Sequence, residues 1–393
     1  MIPPPLQREW RCRRRGRSAT NLLSLAEPGL GLDPAGVADL LAWGAPIGAR
    51  SLLVGVEARR APWSPSPPPI HPGALSDDER ADRLWTLLVE ALAAAGPGRV
   101  ALSGGLDSRA VAAAAVQAGH AVDAGTFGDA DAADLPAACA VAQILGLRHD
   151  VQVLDLDCAL EHEERVWRAS SGTGGPASAP GAATDAAWAG VPRLLSGTSG
   201  DVIWGDTRLA PPSTRRRLRR LGLDVAPSVP SEVAPAPPRW LSAAGRGVWV
   251  NLWTRQAAVT WQGSASRREV TEVVPVPWHE PLLSFCLALS PADRRDRALL
   301  RRALARHAPR VADLPLARGR VHDLDRALRS STRWRSEIDR WMQDGAGLQA
   351  VGLRPAEVRR LVRSQRAGRG RSAMLSRLRA LGRWGAHCAS QPH

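Results

Sequence analysis

Val100-Ala101-Leu102-Ser103-Gly104-Gly105-Leu106-Asp107-Ser108-Arg109 is the stretch on which the fold turns. Val100 to Leu102 is a short apolar run that suits a buried strand. Ser103, Gly104 and Gly105 make a tight loop of small residues. Ala110 to Ala118 is an Ala- and Val-rich helical run stopped by Gly119. A strand, a glycine loop and a helix start gather backbone N–H groups and the positive end of a helix dipole at one point. That point suits an anion, most naturally a phosphate. Glycine helps there because a Cβ would hold the backbone away from the ligand. Ser103 and Ser108 add hydroxyl donors. Asp107 is out of place beside a phosphate unless it holds a metal ion that the phosphates share. The alternative is that Asp107 caps the helix of an ordinary strand–helix turn.

The pattern extends outward from this loop. Strand 99–102, helix 108–118, strand 121–127, helix 133–145 and strand 149–154 alternate at the spacing of βαβ units. That predicts a parallel, doubly wound sheet with its ligand site at the carboxyl ends of the strands. The second strand ends in Gly125-Thr126-Phe127-Gly128-Asp129 at that edge, where Phe127 either borders an adenine or belongs to the core. Pro192 to Leu195 reads as a further strand, followed by Ser196-Gly197-Thr198-Ser199-Gly200-Asp201. Two glycine-rich loops on one sheet, each carrying an Asp, support each other. Two carboxylates facing one triphosphate make sense chiefly with Mg²⁺ between them.

The flanks are less patterned. Residues 1–30 read as irregular, with an Arg cluster from Arg11 to Arg17 as a solvated tail. Asp33-Pro34 opens a short helix to Trp43, and Ser51 to Val56 reads as a strand. Pro62 to Pro72 reads as a linker. Ser76-Asp77-Asp78-Glu79 opens a helix to about Ala95. Residues 171–186, rich in Gly, Ala and Ser, read as a mobile loop and candidate lid. Arg215 to Arg220 reads as an exposed helix face. From Trp240 onward the pattern is helical, over 240–262, 280–289, 293–307, 324–343, 355–364 and 373–385. The last of these carries a stripe of Leu375, Leu378, Leu381 and Trp384 that predicts docking on the domain.

The totals set bounds. The chain has 393 residues and a net charge of +14, and all 52 basic residues are Arg. There is no Lys and no Tyr, but there are 15 Trp. A basic surface admits nucleotide, acidic peptide or nucleic-acid partners without choosing among them. Cys12, Cys139, Cys158, Cys286 and Cys388 have no pair spacing, which argues against zinc and disulfides and fits a reducing cytoplasm. No apolar run approaches a membrane span, and no secretory signal follows the basic cluster.

The first loop lacks the Gly-Lys-Ser/Thr of a Walker motif and resembles the pyrophosphate loop of the N-type ATP pyrophosphatases. The two loops together resemble the synthetase domain of the asparagine synthetase family, over roughly 33–322. Leu102 to Ser108 is similar to the family's first loop, and Thr126-Phe127-Gly128 to its adenine-side strand end. Asp134 to Ala142, with Leu145-Gly146-Leu147-Arg148-His149, is similar to its acidic helix and Leu-Gly-x-x-His ending. Leu195 to Asp201 and Gly205 are similar to its second loop. Pro277 to Pro291 follows its Pro-Phe-Leu-Asp segment, and Arg297 to Arg301 its Lys-x-Leu-Leu-Arg element. Asp33 to Val56 is similar to the tail of its glutaminase domain. The resemblance implies an α/β fold: a doubly wound parallel sheet of the adenine nucleotide alpha-hydrolase-like kind, followed by a mostly helical C-terminal region. It divides the chain into 1–75, a glutaminase-like remnant plus linker, and 76–393, the synthetase domain.

Departures from the family direct the expected function. The family's asparagine-forming members begin with a Cys nucleophile that frees ammonia from glutamine, whereas the second residue here is Ile2. The expected nitrogen source is then an amine within the substrate, as in the β-lactam synthetases and the lasso peptide cyclases. The β-lactam branch uses a Tyr–Glu base and a Lys, and this chain has neither Tyr nor Lys. The family's catalytic Lys falls near Arg318 or Arg320, with Arg320 aligning best, and Val202 stands where Glu usually follows Asp201. The expectation is a lasso peptide cyclase that uses ATP and Mg²⁺ on a precursor peptide. A leader peptidase and a leader-binding protein are its expected partners, with neither membrane nor nucleic acid among them. By the resemblance, Ser103, Gly104, Gly105 and Ser108 cradle the pyrophosphate. Asp107 and Asp201 share Mg²⁺, and Leu102, Phe127, Ser196 and Gly197 border the nucleotide. Arg320 stabilises the phosphorus transition state. Three alternatives remain: another glutamine-independent amide synthetase, a tRNA-modifying ATP pyrophosphatase, and a non-catalytic scaffold, which the Val202 and Arg320 departures would fit.

Overall fold

The computed structural model describes residues 6–13, 16–27, 30–120, 123–205, 215–317, 324–343, 348–349, 351–367 and 372–390. Buried Trp10 and Cys12 alternate with exposed Glu9 and half-buried Arg11 in β1 (Glu9–Cys12), which pairs antiparallel with β2 (Ser18–Ala19) and β3 (Val56–Arg59). The N-terminal part is therefore a small sheet and not irregular. The alternation of Trp10 and Cys12 lays one face on the core, where the Arg-rich composition had suggested a tail. The strand expected at 51–56 starts only at Val56. Before it, Ser51 spends its hydroxyl on the Leu53 backbone, and Leu53 makes one isolated bridge to Leu32.

Helix α1 (Pro34–Trp43) is capped by the Asp33 side chain, with Pro34 at its first position, and ends on Gly44 at φ 100°. Helix α2 (Asp77–Ala95) opens with a full capping box between Ser76 and Glu79. The extended stretch between them is pinned by Trp63, which stacks on Trp249 at 5.7 Å.

The main sheet is parallel throughout and follows the order β6-β5-β4-β7-β8. Its strands are β4 (Arg99–Ala101), β5 (Ala124–Gly128), β6 (His149–Val153), β7 (Arg193–Ser196) and β8 (Glu272–Pro275). The chain builds outward from β4 through β5 to β6, then returns to the other side of β4 for β7 and β8. The order reverses between β4 and β7, and ligands bind at such a switch point in open α/β sheets. Helices α3 (Leu106–Gln117) and α4 (Asp134–Leu145) make the first crossovers. Strand β8 lies in the gap between the helical stretches expected at 240–262 and 280–289, where the sequence pattern predicted no element. Its Glu-Val-Val-Pro run is short, but Val273 pairs with Leu194 and is buried.

Two large hydrophobic cores hold the molecule, with a small third one around Trp43 and Ile47. One surrounds the sheet and includes α2, α3 and the helix Ala298–His307. The other joins the N-terminal sheet and α1 to helices from 324 onward, so residues before 60 share their core with the C-terminal region. The last helix, Ser372–Ser390, docks through Leu375, Leu378, Leu381 and Trp384, all buried, as its stripe predicted. No helix among the described residues is long and apolar enough to cross a membrane.

The segment 171–186 differs from the mobile loop its small residues suggest. It is packed, with short helices at Ala179–Ala183 and Asp185–Trp188 and with Trp188 buried. Its glycines serve close approach: a Cβ on Gly172 would overlap the Trp384 indole, and one on Gly175 would meet Ser376. Asp185, fully buried, is held by Arg267 at 3.1 Å and Arg165 at 3.4 Å. It is a wedge between helices and not a lid.

Candidate active site

The two small-residue loops leave adjacent strands on either side of the switch point, after β4 and after β7. The first loop is wired internally. The Ser108 hydroxyl accepts from the Ser103 N–H at 3.0 Å and lies 2.9 Å from the Ser103 hydroxyl. The Gly105 N–H donates to Ser103 Oγ at 3.2 Å. No side chain caps the N-terminus of α3, whose first turn begins at Leu106. That helix has three turns, and its uncapped N-terminus presents backbone N–H groups and a positive dipole end toward the switch point.

Gly104 sits in the tightest position. Its N–H donates to Asp134 Oδ1 at 2.8 Å, and its carbonyl accepts from Ala317 N–H at 3.2 Å and from Arg109 Nη2 at 3.0 Å. Arg109 is buried and also donates to the carbonyls of Leu314 and Pro315, at 2.8 and 2.6 Å. It thereby clamps the segment before Arg318 onto the first loop. A Cβ on Gly104 would overlap that of Ala317 and come within 2.8 Å of that of Ala137. Gly104→Ala is therefore expected to destabilise the protein by about 1–3 kcal/mol, as overpacking does. Urea unfolding of the variant checks this, and an unchanged midpoint would mean that the 317 segment yields freely.

The second loop presses on Asp107. A Cβ on Gly197 would lie 3.3 Å from the Asp107 Cβ, and one on Gly200 would lie 3.1 Å from its Cγ. Ser199, between them, takes the left-handed conformation at φ 70°, unusual for a residue with a side chain. Its hydroxyl donates to Gln256 Oε1 at 2.9 Å, and Gln256 lies in a π-helical stretch, Leu252–Thr260. The Ser196 and Thr198 hydroxyls lie 2.6 Å apart at the mouth of the loop.

Asp107 is the electrostatic centre. Its Oδ1 accepts from the Trp204 indole N–H at 2.8 Å and lies 3.6 Å from Arg297 Nε. Burial first, and then the charge of Asp201, push its carboxyl up; Arg297 and the Trp204 bond pull it down. Asp201 itself is exposed. The structure thus brings Asp107 and Asp201 within electrostatic reach, from loops on adjacent strands. Among the described residues no set of three or more His, Cys, Asp or Glu side chains gathers as a metal cage. Two carboxylates alone match Mg²⁺, which keeps several waters and takes its other ligands from phosphates.

The remaining expected residues fall as follows. Leu102 is buried under the first loop, and Ser196 and Gly197 are half-buried at the end of β7. Phe127 is half-buried against the core, with the Arg267 guanidinium 5.0 Å from its ring centroid. Thr126 next to it ties β4 to β6, donating to the Leu102 carbonyl at 2.8 Å and bonding His149 Nε2 at 2.7 Å. Arg318 and Arg320 lie outside the described residues. Sequence reading missed Trp204, Asp134 and Arg109 as partners of the loops, and the contact of Arg297 with Asp107. Arg297 carried one local signal, its place in the Arg297–Arg301 element, and it takes a left-handed conformation at φ 58°.

A doubly wound parallel sheet with paired glycine loops and paired carboxylates at its switch point defines a nucleotide-using α/β enzyme. The asparagine synthase family model matches residues 84–280, half of the chain, and the chain belongs to that family. The matched stretch holds both loops with Asp107 and Asp201. The protein is accordingly an ATP-dependent ligase-type enzyme, an amide synthetase in the general sense. No curated protein matches the chain.

Proposed function

We propose that the chain is a lasso peptide cyclase, an ATP-dependent macrolactam synthetase. A side-chain carboxylate of an Asp or Glu in a precursor peptide attacks the α-phosphorus of ATP, and the bond to pyrophosphate breaks. The peptide's N-terminal nitrogen then attacks the acyl carbon, the bond to AMP breaks, and the amine loses a proton. The observation that carries the phosphate chemistry is the pairing of two small-residue loops across the switch point, each bringing a carboxylate to one place.

In this reading the N-terminus of α3, with Ser103, Gly104, Gly105 and Ser108, holds the pyrophosphate. The Gly104 N–H, bonded to Asp134, contributes through close packing. Leu102, Phe127, Ser196 and Gly197 border the nucleotide. Asp107 and Asp201 hold Mg²⁺, which when bound screens the triphosphate charge and favours departure of pyrophosphate. Trp204 and Arg297 fix the rotamer of Asp107. Arg320 is assigned by resemblance as a fixed cation for the α-phosphate; it cannot move a proton. Ala317, three residues before it, is bonded to the first loop.

Two observations favour an amine carried by the substrate. Cys12 is buried in β1, burial pushes Cys286 up to about 12, the Asp155 hydrogen bond and charge push Cys158 up, and burial pushes Cys388 up, so none of these four thiols is poised as a glutaminase nucleophile; Cys139 lies exposed on α4. The absence of Lys and Tyr removes the β-lactam branch's base and cation. The partners in this reading are the precursor peptide, a leader peptidase and a leader-binding protein.

The test is the fate of ATP. AMP and pyrophosphate should form in equal amounts, dependent on a peptide with a free N-terminus and an internal Asp or Glu. ADP and phosphate as the stoichiometric products would overturn the reading.

A further inference from the structure

A cavity of about 830 Å³ opens between the N-terminal sheet and the end of the π-helical segment. Arg8, Arg59, Arg60, Ser171, Trp261 and Arg268 are among its walls, and no residue of the two loops is. Four guanidinium groups around one space is an arrangement that folding alone does not favour.

Among the described residues Arg59 alone of the four makes an ion pair, and Arg268 also feels the charge of its neighbour Glu269. Arg59 donates to Glu57 at 3.1 Å. Arg8, buried, gives one N–H to the Pro46 carbonyl at 3.0 Å and stacks 4.6 Å from the Trp10 ring centroid. Arg60 reaches the Gly48 carbonyl at 3.4 Å. Arg268 reaches the Trp261 carbonyl at 3.3 Å and lies 4.5 Å from that ring. The indoles and carbonyls brace these cations in place without neutralising them. The Nε of all three, Nη2 of Arg60 and the Trp261 indole Nε1 are buried without any acceptor. Glu9 also lines the cavity and makes no ion pair with them among the described residues.

Burial lowers the Arg8 guanidinium, and the charge of Arg60 lowers it further. Burial brings Arg60 and Arg268 down to about 10, which leaves both charged at neutral pH. Desolvated cations with little counter-charge are costly. An oxyanion in the cavity would supply negative charge to the guanidinium groups of its wall, and a guanidinium fork suits the oxygens of a phosphate or a carboxylate.

We propose that this cavity is a second binding site, separate from the ATP site, for an oxyanion carried by a small ligand: a phosphate or a carboxylate. The space exceeds what a bare ion needs and lies within the usual range for small-molecule sites, about 300–1,000 Å³.

Thermal unfolding of the full chain tests it, with sodium phosphate, pyrophosphate or succinate added against sodium chloride of equal ionic strength. At least one of the three should raise the Tm of the wild type saturably. A response to the phosphates alone or to succinate alone assigns the source of the oxyanion. Arg60→Gln with Arg268→Gln should weaken the response at least about tenfold in apparent Kd. In chloride alone that double variant should be as stable as the wild type or more so, because two charges with little counter-charge are gone, and this also shows that it folds. The proposal is overturned if none of the three probes acts saturably on the wild type, or if the response is unchanged in the double variant.

Discussion

In the proposed reading Asp107→Asn and Asp201→Asn are each expected to cut amide formation by about 10³-fold or more, because each removes one of the two carboxylates assigned to a metal bound with a polyanionic nucleotide. The stability of Asp107→Asn should move the other way. Burial, and then the neighbouring Asp201 charge, hold the Asp107 carboxyl above its ordinary value, against Arg297 and Trp204. A carboxyl raised in the folded state contributes stability that is present below its unfolded pKa and is lost as the pH rises through its folded one. At pH 7 the folded protein therefore carries this carboxylate at a cost, which the amide avoids while still accepting from Trp204. Without divalent cations, Asp107→Asn should unfold at or above the wild-type temperature at pH 7, and the difference should close as the pH falls into the carboxylate range. An inactive variant with a lowered Tm at pH 7 would mean fold damage and not the loss of a ligand. Adding Mg²⁺ and ATP should raise the Tm of the wild type more than that of either variant.

This opposition between stability and activity is built from parts that were unequally legible in the sequence. The two loops could be read because their information is local. Glycine and serine follow an apolar run, and an Asp comes within a few residues each time. Alternation predicted the doubly wound sheet, but the strand order that sets the two loops side by side is a property of the folded chain. Trp204 and Arg297 could not be read as partners of Asp107, since they lie far along the chain and meet it only in the folded molecule. Small residues misled in the other direction. At 171–186 they read as freedom in the sequence, but in the fold Gly172 admits Trp384, just as Gly125 admits Trp188. A glycine marks a place where backbone comes close to something, and the sequence does not say whether that is a ligand or an indole. The N-terminal strands were hidden by charge. Glu9-Trp10-Arg11-Cys12 alternates as a strand should, with Trp10 and Cys12 inward, but neighbouring arginines dominated the composition. Strand β8 was hidden by its brevity and its terminal proline.

The largest effect is expected from blocking a single nitrogen on the substrate. In the cyclase reading the attacking amine is the peptide's own N-terminus, held beside its activated side chain. Intramolecular attack has an effective concentration on the order of 10⁵ M or more in well-oriented cases, far above that of any free amine. A peptide with a free N-terminus should therefore leave the reaction lighter by one water, with its N-terminus closed. The same peptide N-acetylated should still drive release of pyrophosphate but should give no cyclic product, because the nucleophile is gone while the carboxylate remains. Glutamine should neither be hydrolysed nor raise the yield. Mass spectrometry of peptide, ATP, Mg²⁺ and enzyme reads all three outcomes at once. Ammonia added to the mixture sharpens the test. If the product keeps a free N-terminus and carries a new side-chain amide from ammonia, the cyclase reading fails and an asparagine-forming one replaces it. In that case the first loop, the second loop and the Asp107–Asp201 pair would keep their assigned chemistry, since activation of the carboxylate is common to both reactions.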